Sequence, residues 1–227
     1  MATRVLERSE LDLASSRRTL VVTWQNPDGK FVKVGQVDSL TDGSVAFQYL
    51  PSARRSAGFF PLVEYPDFGA ACVSSGLPAF LANRVLSTAR PGHAQYLHWL
   101  GVDGSNEDEV PFEVLARSGG GRATDTFHVV DLPLDSEGGF SSRFFVSGVR
   151  HAEGAEEALQ RLGHGAELLL ELEPDNPKDP HAVLVTTADG AKIGYVPAWL
   201  CDDVQDRIAR GWKITATSER VNHDAPP

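Results

Sequence analysis

The chain has 227 residues, 41% of them hydrophobic and 23% charged, a composition typical of a globular protein with one large or two modest domains. Its formal net charge of −10 is shared equally between residues 1–139 and 140–227, which weighs against non-specific duplex binding because such binding depends on neutralised phosphates. The sequence shows no apolar run long enough to cross a bilayer, no signal peptide and no CxxC pair. We therefore expect a cytoplasmic protein without membrane contact, disulfides, metal or other cofactor.

Residues 1–18 are polar and predict a poorly ordered lead-in. Three segments that alternate apolar and polar residues follow, and turn signals separate them at residues 26–29 (Asn-Pro-Asp-Gly) and 41–43 (Thr-Asp-Gly). This pattern predicts a short antiparallel meander. Its strands are expected at residues 19–24, 30–37 and 44–49.

The remainder of the first half predicts short helices and one further strand. Residues 51–76 are interrupted by proline and glycine, which indicates irregular structure. Helical spacing of apolar residues then predicts three helices, and a strand pattern follows them. These elements are expected at residues 77–86, 91–100, 111–116 and 124–130. We interpret residues 19–131 as a small α+β domain and the aperiodic residues 132–142 as a linker.

The second half has clearer periodicity, and we interpret residues 143–227 as a second domain. The patterns predict strands at residues 143–149, 166–172, 182–187, 192–196 and 212–221, with helices at residues 153–162 and from Pro197 onward. The helix after Pro197 carries an apolar stripe at Leu200, Val204 and Ile208, which lie at i, i+4 and i+8.

The loop at residues 173–181 reads Glu-Pro-Asp-Asn-Pro-Lys-Asp-Pro-His and is the most informative segment. Folding needs only a turn there, yet the loop is rigid and offers carboxylate, amide, ammonium and imidazole groups. A purely structural interpretation is open: Asp175, Asn176 and Pro177 form an Asx-type turn, and Asp179 caps backbone amides before the next strand.

Three segments together resemble the HIRAN domain, in order and at sensible spacing. They are residues 145–151 (Phe-Val-Ser-Gly-Val-Arg-His), the loop with the strand after it, and residues 194–197 (Gly-Tyr-Val-Pro) at the start of a helix. The resemblance covers about residues 143–221 and implies an OB-like β-barrel with helices in its connections. The fold class expected for the chain is therefore α+β, with an OB-like barrel at the C-terminus. Because the family usually continues into one more strand, the barrel is expected to be truncated here or closed from elsewhere.

The resemblance also implies a ligand. In the best-understood relatives, which are fork-remodelling helicases, this domain captures the 3′ end of single-stranded DNA, so a role in DNA repair or replication-fork processing is implied. Arg150 matches a position that contacts the nucleic acid, His151 a base-stacking position, and Asp179 a carboxylate that meets the terminal 3′-hydroxyl. Ala152 and Lys178 depart from the pattern, because the family has aromatic residues at both; Lys178 is expected to contact phosphate instead. The expected contact residues are Arg150, His151, Lys178, Asp179, His181 and Tyr195, with Asp175, Asn176, Pro177 and Gly194 shaping the loop and turn.

The first half has its own likeness. Residues 34–37 (Val-Gly-Gln-Val), 80–85 (Phe-Leu-Ala-Asn-Arg-Val) and 111–116 (Pro-Phe-Glu-Val-Leu-Ala) are similar to the N-terminal subdomain of HipA-type proteins. That subdomain is a small α+β module beside a kinase body, and no kinase motif is present here. The likeness implies a docking module for a protein partner at residues 19–131.

Two other functions are compatible with these residues. The negative charge favours a non-catalytic, regulatory module in which both halves bind proteins. Alternatively, Asp175 and Asp179 with Asn176 provide oxygen atoms of the kind that bind magnesium, as in a metal-dependent hydrolase of nucleic acid or nucleotides. No base or nucleophile completes such a site in the sequence. We therefore assign no catalytic residue and expect a binding protein.

Overall fold

The computed structural model describes residues 3–7, 16–122, 124–131, 134–136 and 139–224. The chain divides into an N-terminal unit, Met1–Arg143, and a C-terminal unit, Phe144–Pro227. Both are mixed α+β units whose strands pair antiparallel, as the expected α+β class requires. Among the described residues, no helix combines the length and apolarity that spanning a membrane requires.

The N-terminal unit is built on a six-stranded antiparallel sheet in the order β1-β5-β4-β3-β2-β6. Its strands are β1 (Thr3–Glu7), β2 (Ser16–Gln25), β3 (Phe31–Leu40), β4 (Val45–Tyr49), β5 (Ala70–Ser74) and β6 (Phe127–Asp131). Its helices are α1 (Pro51–Arg55), α2 (Ala79–Ala82), α3 (His93–Leu100) and α4 (Val110–Ser118). The predicted meander is confirmed as β2, β3 and β4, which pair in sequence order.

The core of this unit lies between the sheet and α4. Leu20, Val37, Phe47, Leu115 and Val129 are buried there in one apolar cluster. Phe47 is also the centre of an aromatic group, because its ring lies 4.9–5.4 Å from three other rings. Those rings belong to Tyr49, Tyr65 and Phe80.

Three segments of this unit differ from the sequence-based expectation. The lead-in at residues 1–18 contains β1, which pairs with β5, and the start of β2; its remaining residues lie outside the described part. Residues 51–76 contain α1 and β5 rather than irregular structure alone. The aperiodic residues 132–142 contain two short strands, β7 (Leu134–Ser136) and β8 (Gly139–Ser141), that pair with each other. All three segments owe their order to pairing or packing partners, which local periodicity does not report.

The C-terminal unit contains a four-stranded antiparallel sheet in the order β11-β10-β9-β12. Its strands are β9 (Glu167–Leu172), β10 (Val183–Thr187), β11 (Lys192–Tyr195) and β12 (Ala216–Thr217), and its helices are α5 (Ala155–Arg161) and α6 (Ala198–Ala209). A short 3₁₀ helix, Val149–His151, precedes α5. The strands predicted before and after the loop at residues 173–181 are confirmed as β9 and β10, which pair antiparallel from Val183 with Leu172 to Thr187 with Leu168.

The two outermost strands predicted for this unit are shorter than expected. The strand at residues 143–149 is reduced to one isolated bridge, between Ser147 and Tyr195, and the strand at residues 212–221 is reduced to β12. Among the described residues these two edges do not pair, so the sheet is not seen to close into a barrel. A four-stranded sheet with one bridged segment is the observed architecture; the OB-like barrel stays a prediction.

The core of the C-terminal unit lies between this sheet and its two helices. Val183, Val185 and Ile193 are buried on the strands. Of the apolar stripe predicted on α6, Leu200 and Val204 are buried and Ile208 is half-buried. On α5 the buried residues are Ala155 and Ala158, whereas the larger Leu159 and Leu162 are half-buried. Small residues allow α5 to approach β11 closely.

Candidate nucleic-acid interface

Tyr195 joins the three motif segments of the C-terminal unit. Its backbone exchanges two hydrogen bonds with Ser147: each amide donates to the other residue's carbonyl at 2.8 Å. Its hydroxyl donates to Oε2 of Glu173 at 3.1 Å, at the start of the proline-rich loop. The segment before the 3₁₀ helix, the end of β11 and the loop are thereby held around one side chain.

Gly194 makes the close approach of these segments possible. Its φ of +141° is a conformation that L side chains rarely adopt. A Cβ atom there would lie 2.6 Å from the carbonyl oxygen of Ser147 and 2.6 Å from a methyl carbon of Val146. The glycine predicted to shape this turn is therefore required by sterics as well as by backbone conformation.

Glu173 organises the base of the loop. It accepts hydrogen bonds from Nδ2 of Asn176 at 3.0 Å, from the hydroxyl of Tyr195 at 3.1 Å and from Nζ of Lys192 at 3.3 Å. The bond from Asn176, followed by those from Lys192 and Tyr195, lowers the pKa of Glu173 below its ordinary value. Burial and the neighbouring Glu173 raise the pKa of the Tyr195 hydroxyl, which therefore stays a donor.

The loop itself is fixed by side chains that bond its own backbone. Oδ1 of Asn176 accepts from the amides of Lys178 at 3.0 Å and Asp179 at 3.2 Å. Oδ1 of Asp179 accepts from the amide of His181 at 2.8 Å. The structural interpretation is thus borne out for Asn176 and Asp179, while Asp175 and Pro177 are exposed. Oδ2 of Asp179 makes no hydrogen bond or ion pair within the described part of the chain.

The cationic candidates lie at the surface. Arg150 and His151 sit on the 3₁₀ helix instead of at the end of a strand, and Nε of Arg150 donates to Nε2 of His151 at 3.3 Å. Lys178 is exposed at the tip of the loop. No hydrogen bond or ion pair among the described residues joins Arg150 or His151 to Lys178 or Asp179, so these four do not form one bonded cluster.

His181 contacts α6. Its Nδ1 lies 3.3 Å from Oε1 of Gln205 and 3.6 Å from Oδ1 of Asp202, and Nε2 of Gln205 donates to the His181 carbonyl at 2.8 Å. The structure thus places His181 against a helix and groups Tyr195 with Glu173 and Lys192. Glu173, Lys192 and Gln205 were not among the contact residues expected from the sequence. The spacing of Glu173 and Asn176, a carboxylate three residues before an amide at the end of a strand, was the available signal.

Residues 139–226 match the family model of the HIRAN domain. The C-terminal part of the chain is a HIRAN domain. HIRAN domains are generally associated with nucleic-acid binding. No curated protein matches the chain. The match leaves out the first 138 residues, for which the HipA likeness stays a prediction.

The loop of the HIRAN domain is poorly arranged for a metal ion. Among the described residues, no group of three or more His, Cys, Asp or Glu side chains is placed to hold one. Oδ1 of Asn176 already accepts two backbone amides, and Oδ1 of Asp179 accepts a third. Only Oδ2 of Asp179 is left open among these oxygens, and one carboxylate oxygen beside an occupied amide oxygen does not favour the metal-dependent hydrolase.

The HIRAN domain also contains one cysteine, Cys201, which is buried on α6. Burial raises the pKa of its thiol to about 11, so the reactive thiolate is scarce near neutral pH. Its Sγ lies 3.5 Å from the carbonyl oxygens of Val196 and Pro197, at the start of the helix. Cys201 therefore contributes packing rather than nucleophilic chemistry.

Proposed function

We propose that the HIRAN domain binds the 3′ end of single-stranded DNA and serves DNA repair or replication-fork processing. The observation that carries the proposal is the Asp179 carboxylate, which the loop holds in place through Oδ1 while Oδ2 has no partner in the described part. A carboxylate in a rigid loop is a preorganised acceptor, and preorganisation lowers the cost of binding.

The negative charge of Asp179 makes the site selective between a 3′-hydroxyl and a 3′-phosphate end. A carboxylate accepts a hydrogen bond from a hydroxyl but repels a phosphate. A strand that ends in a 3′-hydroxyl therefore suits Oδ2, and a strand that ends in a 3′-phosphate does not.

Arg150, His151 and Lys178 supply the remaining contacts in this proposal. The Arg150 guanidinium presents a planar fork to phosphate, and the exposed His151 ring offers a face for base stacking. Lys178 adds an exposed positive charge one residue before Asp179. These three side chains contact a strand whatever its end, whereas the contact of Asp179 with the terminal hydroxyl adds affinity only for an unphosphorylated 3′ end.

The test is the substitution Asp179→Asn. Its carboxamide oxygen keeps accepting from the His181 amide, and its NH₂ group takes the place of Oδ2. Because NH₂ donates instead of accepting, we expect binding to a 3′-hydroxyl strand to weaken about ten-fold and the preference over a 3′-phosphate strand to disappear. Fluorescence anisotropy with 5′-labelled oligothymidylates that carry either end measures both effects.

The matched control is Asp175→Asn. It removes the same charge from the same loop at an exposed residue. Wild-type end preference in this variant, together with its loss in Asp179→Asn, supports the proposal. Equal binding of both ends by the unmodified protein, or absence of binding at low salt, contradicts it.

A protein-interaction role for the N-terminal unit is a second candidate, favoured by one observation. The loop between α1 and β5 exposes two large apolar side chains, Phe60 at 80% and Val63 at 98%. Exposed apolar side chains on one loop are typical of a protein contact. Isothermal titration of a copurified partner against Phe60→Ser is the test, and unchanged affinity would exclude this loop.

A further inference from the structure

The C-terminal end of α6 and the segment after it combine cationic and aromatic side chains. From residue 207 to residue 218 the sequence contains three cations and no acidic residue, although the whole chain has a net charge of −10. The cations are Arg207, Arg210 and Lys213, and Trp212 stands among them. Such a mixture of cationic and aromatic side chains is typical of surfaces that bind single-stranded nucleic acid.

The backbone fixes the position of Trp212. Gly211 adopts a left-handed φ of +79° after the helix, and the amide of Trp212 donates to the carbonyl of Arg207 at 2.9 Å. This is the turn that commonly ends helices with a glycine. Trp212 is thereby folded back against the last turn of α6.

The ring of Trp212 is only partly covered. The guanidinium carbon of Arg207 lies 5.8 Å from the ring centroid, in cation–π contact, yet 47% of the Trp212 residue remains exposed. Tryptophan is highly buried on average, so this much exposed indole surface is unusual. A nucleobase can stack on the indole surface that Arg207 leaves open.

The neighbouring cations are available to phosphates. Arg210 pairs with Asp206 four residues before it, but both side chains are largely exposed, and exposed pairs of this kind contribute little. Lys213 is exposed beside Trp212 and makes no ion pair within the described part of the chain. A phosphate group can therefore approach Lys213 directly and can compete with Asp206 for Arg210.

α6 links this surface to the proposed end site. Gln205 holds His181 at the end of the loop, and Arg207 lies two residues further along the same helix, about 3 Å along its axis and about 200° around it. Asp179 is bonded to the His181 amide. The Trp212 surface and the Asp179 loop are thus attached to one rigid helix within the same unit.

We propose that Trp212, Arg210 and Lys213 form a second contact for the strand whose 3′ end Asp179 receives, with a base stacked on Trp212 and the cations against the backbone. This inference rests on the proposed function and extends it from the terminal nucleotide to the strand that leads to it. Sites of about 4–16 nucleotides are usual for domains that combine a charged groove with stacking aromatics.

The experiment compares Trp212→Ala and Trp212→Phe in the full chain, with a 5′-labelled oligothymidylate of about 20 nucleotides. Base stacking on an aromatic contributes about 1–3 kcal/mol, so Trp212→Ala should weaken binding about five- to 150-fold. Trp212→Phe keeps a π-face and should retain most of the affinity. Lys213→Ala should lower the salt slope of binding by about 0.7.

The ratio of affinities for 3′-hydroxyl and 3′-phosphate strands separates the two proposals. We expect Trp212→Ala to leave that ratio unchanged, because only Asp179 senses the end. Wild-type affinity in Trp212→Ala, or an equal loss in Trp212→Phe, overturns the second contact while the end site stands. If the unmodified chain shows no preference between the two ends and Trp212→Ala still loses affinity, the end site alone is overturned. Absence of any binding by the unmodified chain overturns both.

Discussion

Glu173 is the residue through which the loop of the HIRAN domain is anchored. Three donors converge on its carboxylate, from the loop, from β11 and from the motif tyrosine. Each bond is stronger when the carboxylate is ionised, which is why the pKa of Glu173 lies below its ordinary value. The anchoring of the loop is therefore linked to pH.

We expect Glu173→Gln to reduce the acid sensitivity of the C-terminal unit. Because the pKa of Glu173 is lower in the folded than in the unfolded chain, its stabilisation is complete above the ordinary glutamate value of about 4.3 and is lost as pH falls through the lowered value. The stability difference between wild type and Glu173→Gln should shrink over that range. Thermal unfolding and hydrogen exchange of the Tyr195 amide, from about pH 7 to about pH 3.5, measure it.

Glu167→Gln is the matched control, since Glu167 is exposed on β9. It should follow the wild-type pH profile. A constant difference between wild type and Glu173→Gln at all pH values would show that the carboxylate charge does not hold the loop.

Among the larger elements, the segment between α1 and β5 depends on one tyrosine of β4. The Tyr49 hydroxyl donates to the carbonyl of Tyr65 at 3.0 Å and accepts from the amide of Leu62 at 2.7 Å. Burial raises the pKa of this hydroxyl, and that of Tyr65 to about 12. A segment without periodicity is thus ordered by two bonds to a strand.

Tyr49→Phe should destabilise the N-terminal unit by about 1–3 kcal/mol, because it leaves two backbone groups without their partner. Tyr65→Phe removes a hydroxyl from the same aromatic group without touching these bonds, and it should change stability less. Urea denaturation of both variants, with hydrogen exchange of the Leu62 amide, provides the comparison. Equal destabilisation by the two substitutions would assign the effect to ring packing instead.

At the scale of the whole molecule, the negative charge limits how nucleic acid can bind. The chain has 21 basic and 31 acidic residues, so most of its surface repels phosphate. The proposed contacts use four cations: Arg150, Lys178, Arg210 and Lys213. Binding should therefore depend on direct contacts with these cations more than on the electrostatic field of the whole protein.

We expect log Kd for single-stranded DNA to change with log salt concentration with a slope no steeper than about 3, since each phosphate contact on a single strand contributes about 0.7. Anisotropy titrations over a range of potassium chloride concentrations measure the slope. A slope of about 5 or more would require further cations and would place the strand on another surface.

Most periodic segments were predicted well in both units, although the helix expected at residues 77–86 is reduced to α2, Ala79–Ala82. A strand or helix that buries one face carries apolar residues at regular spacing. That spacing predicts the meander β2–β4, the strands β9 to β11 and the apolar stripe of α6. The elements that were wrong or missing depend on partners distant in sequence. β1 is ordered by β5 about 65 residues later, and the strand expected at residues 143–149 loses its ladder because only Ser147 meets β11.

The same division applies to the candidate site. The sequence by itself determined the residue types of the loop, the turn at Gly194 and the HIRAN resemblance that residues 139–226 bear out. Only the tertiary structure decided that Glu173 collects three donors, that Asp179 caps His181 with one oxygen, and that Arg150 sits on a 3₁₀ helix. The physical reason is that covalent order specifies which groups are present, whereas hydrogen bonds between distant segments specify which of their atoms remain open to a ligand.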